Sequence, residues 1–156
     1  MQPTQRFTSW AEIEPYATPA ERQLKDRVTK GWSCILDGGD LPDTPDDWSA
    51  LDPARHVRAD ILRFFLLGGC TDCPATELGV RLGGALVTGT LSLTNCDIPS
   101  NMLLHNCRFQ NGINASSCKA EKGFRLESCT LPFLNAAGLR VGGQLDCEST
   151  EFQNQG

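Results

Sequence analysis

Four lines of this sequence decide its fold: LSLTNCDI from Leu91, MLLHNCRF from Met102, INASSCKA from Ile113 and FRLESCTL from Phe124. Each begins 11 residues after the last, and Cys96, Cys107, Cys118 and Cys129 keep the same step. In every line the apolar or small residues fall at offsets 0, 2, 5 and 7. One step upstream, the template lands on Val80, Leu82, Ala85 and Val87. A step of ten downstream reaches Leu134, Ala136, Leu139 and Val141, and a further 11 reaches Leu145, Cys147, Thr150 and Phe152. Seven repeats thus offer 28 inward positions, of which 27 are Ala, Val, Ile, Leu, Met, Phe or Cys. A background of 40% hydrophobic residues would supply only about 11.

The offsets carry geometry. A gap of two puts two side chains on the same side of a short strand, and a gap of three or four means that a corner has intervened. Each 11-residue unit is therefore two short faces, and two units close a 22-residue coil of square section. The expected fold is a parallel β-solenoid of about 3.5 coils over residues 79–156, preceded by a helical segment over 1–78. Gly83-Gly84, Gly89, Pro99-Ser100, Asn111-Gly112, Gly123, Pro132 and Gly142-Gly143 fall between inward pairs, where corners need φ > 0 or a fixed φ.

Two inward residues per five, the first often Ala or Cys and the second Leu or Phe, resembles the pentapeptide-repeat proteins. That resemblance implies a right-handed quadrilateral β-helix, a bacterial or phage source, and a homodimer formed through the C-terminal coil, where Leu145, Cys147 and Phe152 would lie. Some proteins of that family mimic duplex DNA and inhibit topoisomerases. The wording GVRLGGALVTGTLSL and GLRVGGQLDC also resembles bacterial proteins with degenerate repeats, some of which are labelled oxidoreductases.

Cysteine at offset 5 reads as a small, soft hydrophobe in a narrow interior lane, with Cys96 over Cys118 and Cys107 over Cys129 about 4.8 Å apart. Such thiols face no solvent and lack a cation to lower their pKa, so they are expected to be inert. Thr150, the one polar inward residue, can hydrogen-bond to a turn.

Upstream, Thr18-Pro19-Ala20-Glu21 is a capping box with proline at the first helical position, which predicts a helix from about 19 to 30 stopped by Gly31. A second helix is expected to open at Asp52-Pro53 and to run through DPARHVRADILRFFLLGG, with Val57, Ile61, Phe64 and Phe65 on one face. Its role would be to cover the open end of the solenoid near Val80. Between the helices Asp37, Asp40, Asp43, Asp46, Asp47 and Asp52 gather with no Lys or Arg from Gly31 to Ala54. The spacing fits no EF-hand, and Pro and Gly mark a solvated loop that could meet a basic partner. Cys70-Thr71-Asp72-Cys73 is a lone CxxC. Zinc would need Cys34 and His56 to join it, and no second CxxC exists.

Function is narrowed mostly by exclusion. The sequence carries no P-loop, no GxSxG and no GxGxxG after a strand. His56 is expected on the second helix and His105 on an outward face. No cofactor and no catalysis are expected. A net charge of −5 argues against direct nucleic-acid binding, no apolar run is long enough to span a bilayer, and MQPTQRFTSWAEIEPY lacks a signal peptide's apolar stretch, which predicts a cytoplasmic protein. DNA mimicry meets a charge problem. Duplex DNA would present about ten negative charges over a 17 Å stack, whereas residues 80–156 carry six acidic and six basic side chains. The remaining reading is a rigid module that binds, and could inhibit, another protein. Asp37, Asp40, Asp43, Asp46, Asp47, Trp48, His105, Arg108 and Arg125 are its candidate contacts.

Overall fold

The computed structural model describes residues 4–36, 41 and 45–153. Its body is a β-solenoid of about three turns built from four parallel sheets. Face one stacks Cys34–Ile35, Val80–Gly83, Met102–His105, Phe124–Glu127 and Leu145–Asp146. Face two stacks His56–Arg58, Leu86–Thr88, Arg108–Phe109, Thr130–Leu131 and Glu151–Phe152. Face three holds Leu91–Ser92, Ile113–Asn114 and Leu134–Asn135, and face four holds Asp97–Ile98, Lys119–Ala120 and Arg140–Val141.

The register is the one that 22-residue coils demand. Val80 pairs with Met102, Met102 with Phe124 and Phe124 with Leu145, so offset 0 forms one continuous inward column. All inward residues of the first five repeats are buried except Cys96, which is half-buried. The last two repeats are half-buried or exposed, because no further coil lies over them among the described residues.

Cysteine in the interior lane does more than fill space. The Cys107 thiol donates to the carbonyl of Leu82 at 3.7 Å, Cys129 donates to Leu104 at 3.2 Å, and the Thr150 hydroxyl donates to Leu126 at 3.1 Å. Each donor reaches a carbonyl one coil earlier. Small side chains with a hydrogen to give suit this lane, which is why a threonine can replace a cysteine there. The Cys107 thiol is pushed well up by its hydrogen bond with Cys129 and by burial, and burial pushes Cys118 up to about 11. Both favour the protonated, unreactive form. Cys96 departs from the expectation, being half-buried with Arg63 Nη2 donating to it at 3.5 Å, and the hydrogen bond with Cys107 lowers Cys129.

Corner chemistry differs in part from expectation. The recurrent left-handed residue is the one just before the inward offset-5 residue: Gly84, Asn95, Asn106, Ser117, Ser128, Gly138 and Ser149. Gly89 also has positive φ, but Gly142 and Gly143 do not. Gly142 is there for room, since a Cβ would collide with the carbonyl oxygen of Glu121. Gly79 needs glycine on both counts: its φ is +74°, and a Cβ would strike the Asn101 carbonyl one coil above. Gly79→Ala should therefore cost more than about 1 kcal/mol, read as a shift in the urea midpoint at constant m-value.

The N-terminal segment is woven into the solenoid. Helix α1 spans Trp10–Ile13 and continues as a 3₁₀ turn over Glu14–Tyr16; helix α2 spans Pro19–Lys30 and helix α3 Ala59–Leu66. The capping box at Thr18 and the stop at Gly31 (φ 74°) stand as the sequence predicts. The second helix does not begin at Asp52-Pro53. His56–Arg58 is a strand that pairs in parallel with Leu86–Thr88, and α3 starts only at Ala59. An open edge of face two would leave backbone groups unpaired, and filling it outweighs the helical periodicity of the local sequence. Cys34–Ile35 likewise covers the first edge of face one by pairing with Leu82 and Gly83. Helix α3 then packs on Leu91–Ser92, so two strands and one helix together close this end. Val57, Ile61, Phe64 and Phe65 are all buried, as their spacing suggested.

Glu21 ties these parts together. It is fully buried, and besides its capping role it accepts from Arg58 three times: from the backbone amide at 2.8 Å, Nε at 3.0 Å and Nη2 at 2.9 Å. Thr18 adds a bond from its hydroxyl to the His56 carbonyl at 2.6 Å.

Candidate functional site

The outward side of face one carries the densest set of groups with capacity to bind. Outward residues there follow the same register, two steps of 22 residues and one of 21: Arg81 pairs with Leu103, Leu103 with Arg125 and Arg125 with Asp146. The next column holds Ile35, Gly83, His105 and Glu127. Strands here are four residues long in three successive coils, the longest strands among the described residues.

A shallow groove of about 230 Å³ lies on this face, lined by Leu78, Arg81, Asn101, Met102, Leu103 and Arg125. Its floor is apolar, with Leu78 45% exposed, and Ile35 nearby is 59% exposed. Guanidinium groups stand at both ends. Arg81 Nη2 donates to the Gly31 carbonyl at 2.7 Å, which anchors the side chain to the end of α2. Arg125 Nη2 donates to Glu127 at 2.8 Å and lies 3.9 Å from Asp146. The Nε atoms of both arginines are buried without a hydrogen-bond partner, so each keeps one donor unused. Arg81 has no carboxylate partner among the described residues. Arg81 therefore brings to the groove a positive charge that an incoming carboxylate could pair.

No significant match was found to any protein-family model, curated protein or solved structure.

The other expected contacts are scattered. Asp37, Asp40 and Asp43 lie outside the described residues. Asp46 and Asp47 are exposed; Asp47 accepts from the amide and hydroxyl of Ser49, at 2.9 and 2.6 Å, and these bonds hold its carboxyl below the usual range. Trp48 is half-buried. His105 is exposed on face one, as expected, and Arg125 lines the groove. Arg108 is a correction: it is buried on face two, and its Nη1 turns back to the carbonyls of Cys107 and Ser128 at 3.3 and 3.2 Å. Corner carbonyls attract a long donor that sequence position alone would aim at solvent; that of Cys107 accepts from Arg108 in addition to the Thr130 amide at 3.0 Å.

His56 is a second correction, since it belongs to the strand His56–Arg58 and not to a helix. Its Nε2 sits 2.8 Å from Thr88 Oγ1, and burial keeps its pKa below the usual value. Cys34 is buried on face one, where burial pushes its thiol up to about 12. Neither joins Cys70 and Cys73: no group of three or more His, Cys, Asp or Glu side chains suited to a metal occurs among the described residues. Leu145 and Phe152 stand 55% and 40% exposed on the last coil, with Cys147 half-buried.

Sequence reasoning overlooked Arg81, Leu103 and Leu78. The signal was present for two of them, because 81, 103 and 125 are separated by one coil each and must share a column once the repeat is known. Column charges were legible in the same way: Asp97 pairs with Lys119 and Lys119 with Arg140, a mixture of signs that gives no support to a uniform row of phosphates.

Proposed function

We propose that this chain is a non-catalytic interaction module whose face one binds an acidic segment of a protein partner. The observation that carries this reading is the groove between Arg81 and Arg125, with an apolar floor and, in Arg81, a guanidinium with no carboxylate partner among the described residues. A carboxylate seated in the groove would pair with the Arg81 guanidinium, and Leu78 and Leu103 would receive the flanking apolar side chain. The solenoid contributes stiffness: Val80–Gly83, Met102–His105 and Phe124–Glu127 are each paired with a strand on both sides, so the arginines are held before the partner arrives and little entropy is lost on binding.

Kinship with the pentapeptide-repeat proteins, and with it a bacterial source, belongs to the same proposal, supported by the four-sided coil of about 22 residues. So does a second copy meeting the first through the last coil, supported by the exposure of Leu145 and Phe152.

A photo-crosslinking residue at Leu103 tests the reading in the source cells. The partner should be captured there, and Arg81→Glu should weaken its binding at least roughly tenfold, because a repelling charge would replace an attracting one. Capture unaffected by Arg81→Glu would reject the groove. Loss of the partner on Asp46→Lys with Asp47→Lys, and not on Arg81→Glu, would instead favour an acidic, nucleic-acid-mimicking surface.

A further inference from the structure

The hairpin between α3 and the first full coil holds a second chemistry, unrelated to the groove. Gly69–Cys70 and Cys73–Pro74 pair antiparallel, with Cys70 directly opposite Cys73. The two sulfur atoms are 3.0 Å apart. Both are free thiols, Cys70 partly exposed and Cys73 buried. The backbone brings them together by construction. Gly68 and Gly69 have φ of 115° and 71°, a Cβ on Gly69 would collide with the Cys73 carbonyl, and Ala75 donates to the Gly68 carbonyl at 3.0 Å. Closing a disulfide across this pair needs only a small approach of two side chains on a pinned turn.

We propose that Cys70 and Cys73 form a reversible dithiol–disulfide pair, with Cys70 as the attacking thiol, Cys73 as the resolving thiol and a small-molecule disulfide as oxidant. Access sets the order, since only Cys70 is open to solvent. Acidity agrees with it. Burial pushes the Cys70 thiol up, but hydrogen bonds from the Cys73 thiol and from the backbone of Trp10, Asp72 and Cys73 together hold it below its ordinary value. Burial and the bond to Cys70 push Cys73 up to about 11. The Cys70 thiolate attacks one sulfur of the disulfide and releases one thiolate, leaving a mixed disulfide on Cys70. Cys73 then loses its proton and attacks Cys70 Sγ, releasing the second thiolate. The protein loses two hydrogens as two electrons pass to the oxidant, which becomes two thiols.

The interior cysteines provide the internal control. Cys34, Cys107, Cys118 and Cys129 are buried and face the packed core. The full chain is incubated in oxidised glutathione, quenched by alkylation and digested after arginine. Cys70 and Cys73 then share the peptide between Arg63 and Arg81. That peptide should lose two hydrogen masses and its alkylation before Cys34, Cys107, Cys118 or Cys129 reacts, and dithiothreitol should restore both. In Cys73→Ser, glutathione should remain attached at Cys70. The proposal is overturned if both thiols stay fully alkylatable while glutathione adds elsewhere. It is equally overturned if, in Cys73→Ser, glutathione is not retained at Cys70.

Discussion

Glu21→Ala should lower the stability of this chain by roughly 3–5 kcal/mol, the cost of stranding one partner of a buried ion pair. The substitution removes three acceptor contacts from Arg58 and the reciprocal bond of the capping box to the Thr18 amide at 2.9 Å. Arg58 is one-third exposed at its side chain, so water can rescue its guanidinium in part, but not its backbone amide. That argues for the lower half of the range. Glu21→Gln keeps the size and one acceptor oxygen and should cost less. Because Arg58 closes the edge strand over face two, loss of Glu21 should also expose the Leu86–Thr88 backbone to hydrogen exchange. Chemical denaturation checks the first effect. An equilibrium loss below about 1 kcal/mol would show that the cap is held on by its apolar packing alone.

Phe124→Ala and Leu145→Ala form a matched pair. Both residues occupy offset 0 of their repeats and are direct partners in the same column. Phe124 is completely buried beneath it, whereas Leu145 is more than half exposed. Truncating Phe124 opens a cavity between two coils that hydrogen-bonded backbones cannot collapse, and should cost about 3–5 kcal/mol. Truncating Leu145 in an isolated chain removes little buried surface and should cost under about 1 kcal/mol. Thermal or urea unfolding of both variants at low and high protein concentration separates the alternatives. A Leu145→Ala loss that grows with concentration would mean that a second copy covers the last coil. A loss that is small at every concentration would remove the support for pairing there.

These two predictions draw on different kinds of knowledge. The place of Phe124 in a column with Met102 and Leu145 was readable from spacing, since 22 residues of chain return to the same face whatever the detailed corner geometry. Glu21 could be read only as half of a capping box. Its second role depends on His56–Arg58 lying beside α2, and nothing within either segment announces that contact.

The same division holds for the candidate site. Arg125 was identifiable as outward, and Arg81 would have been with the coil arithmetic applied to offset 1. Their unused Nε donors were not, because they arise from the Gly31 carbonyl on one side and from Glu127 and Asp146 on the other. Arg108 has the same sequence context as an outward arginine, yet it folds back onto its own corner. Its fate depends on two carbonyls that only the closed coil presents.

The four-sided solenoid, its register and its inward lanes were legible in the residues alone, because a parallel stack forces every coil to repeat one pattern of burial and the chain must write that pattern out. What becomes of the edges and corners depended on the folded chain. His56–Arg58 became a strand because an unpaired sheet edge outbids local helical preference, and Gly79 had to be glycine because Asn101 passes within contact of it. Cys70 met Cys73 because two left-handed glycines fold the chain back on itself. Those outcomes are set by backbone groups that every residue carries, and side-chain identities along one segment therefore leave them unspecified.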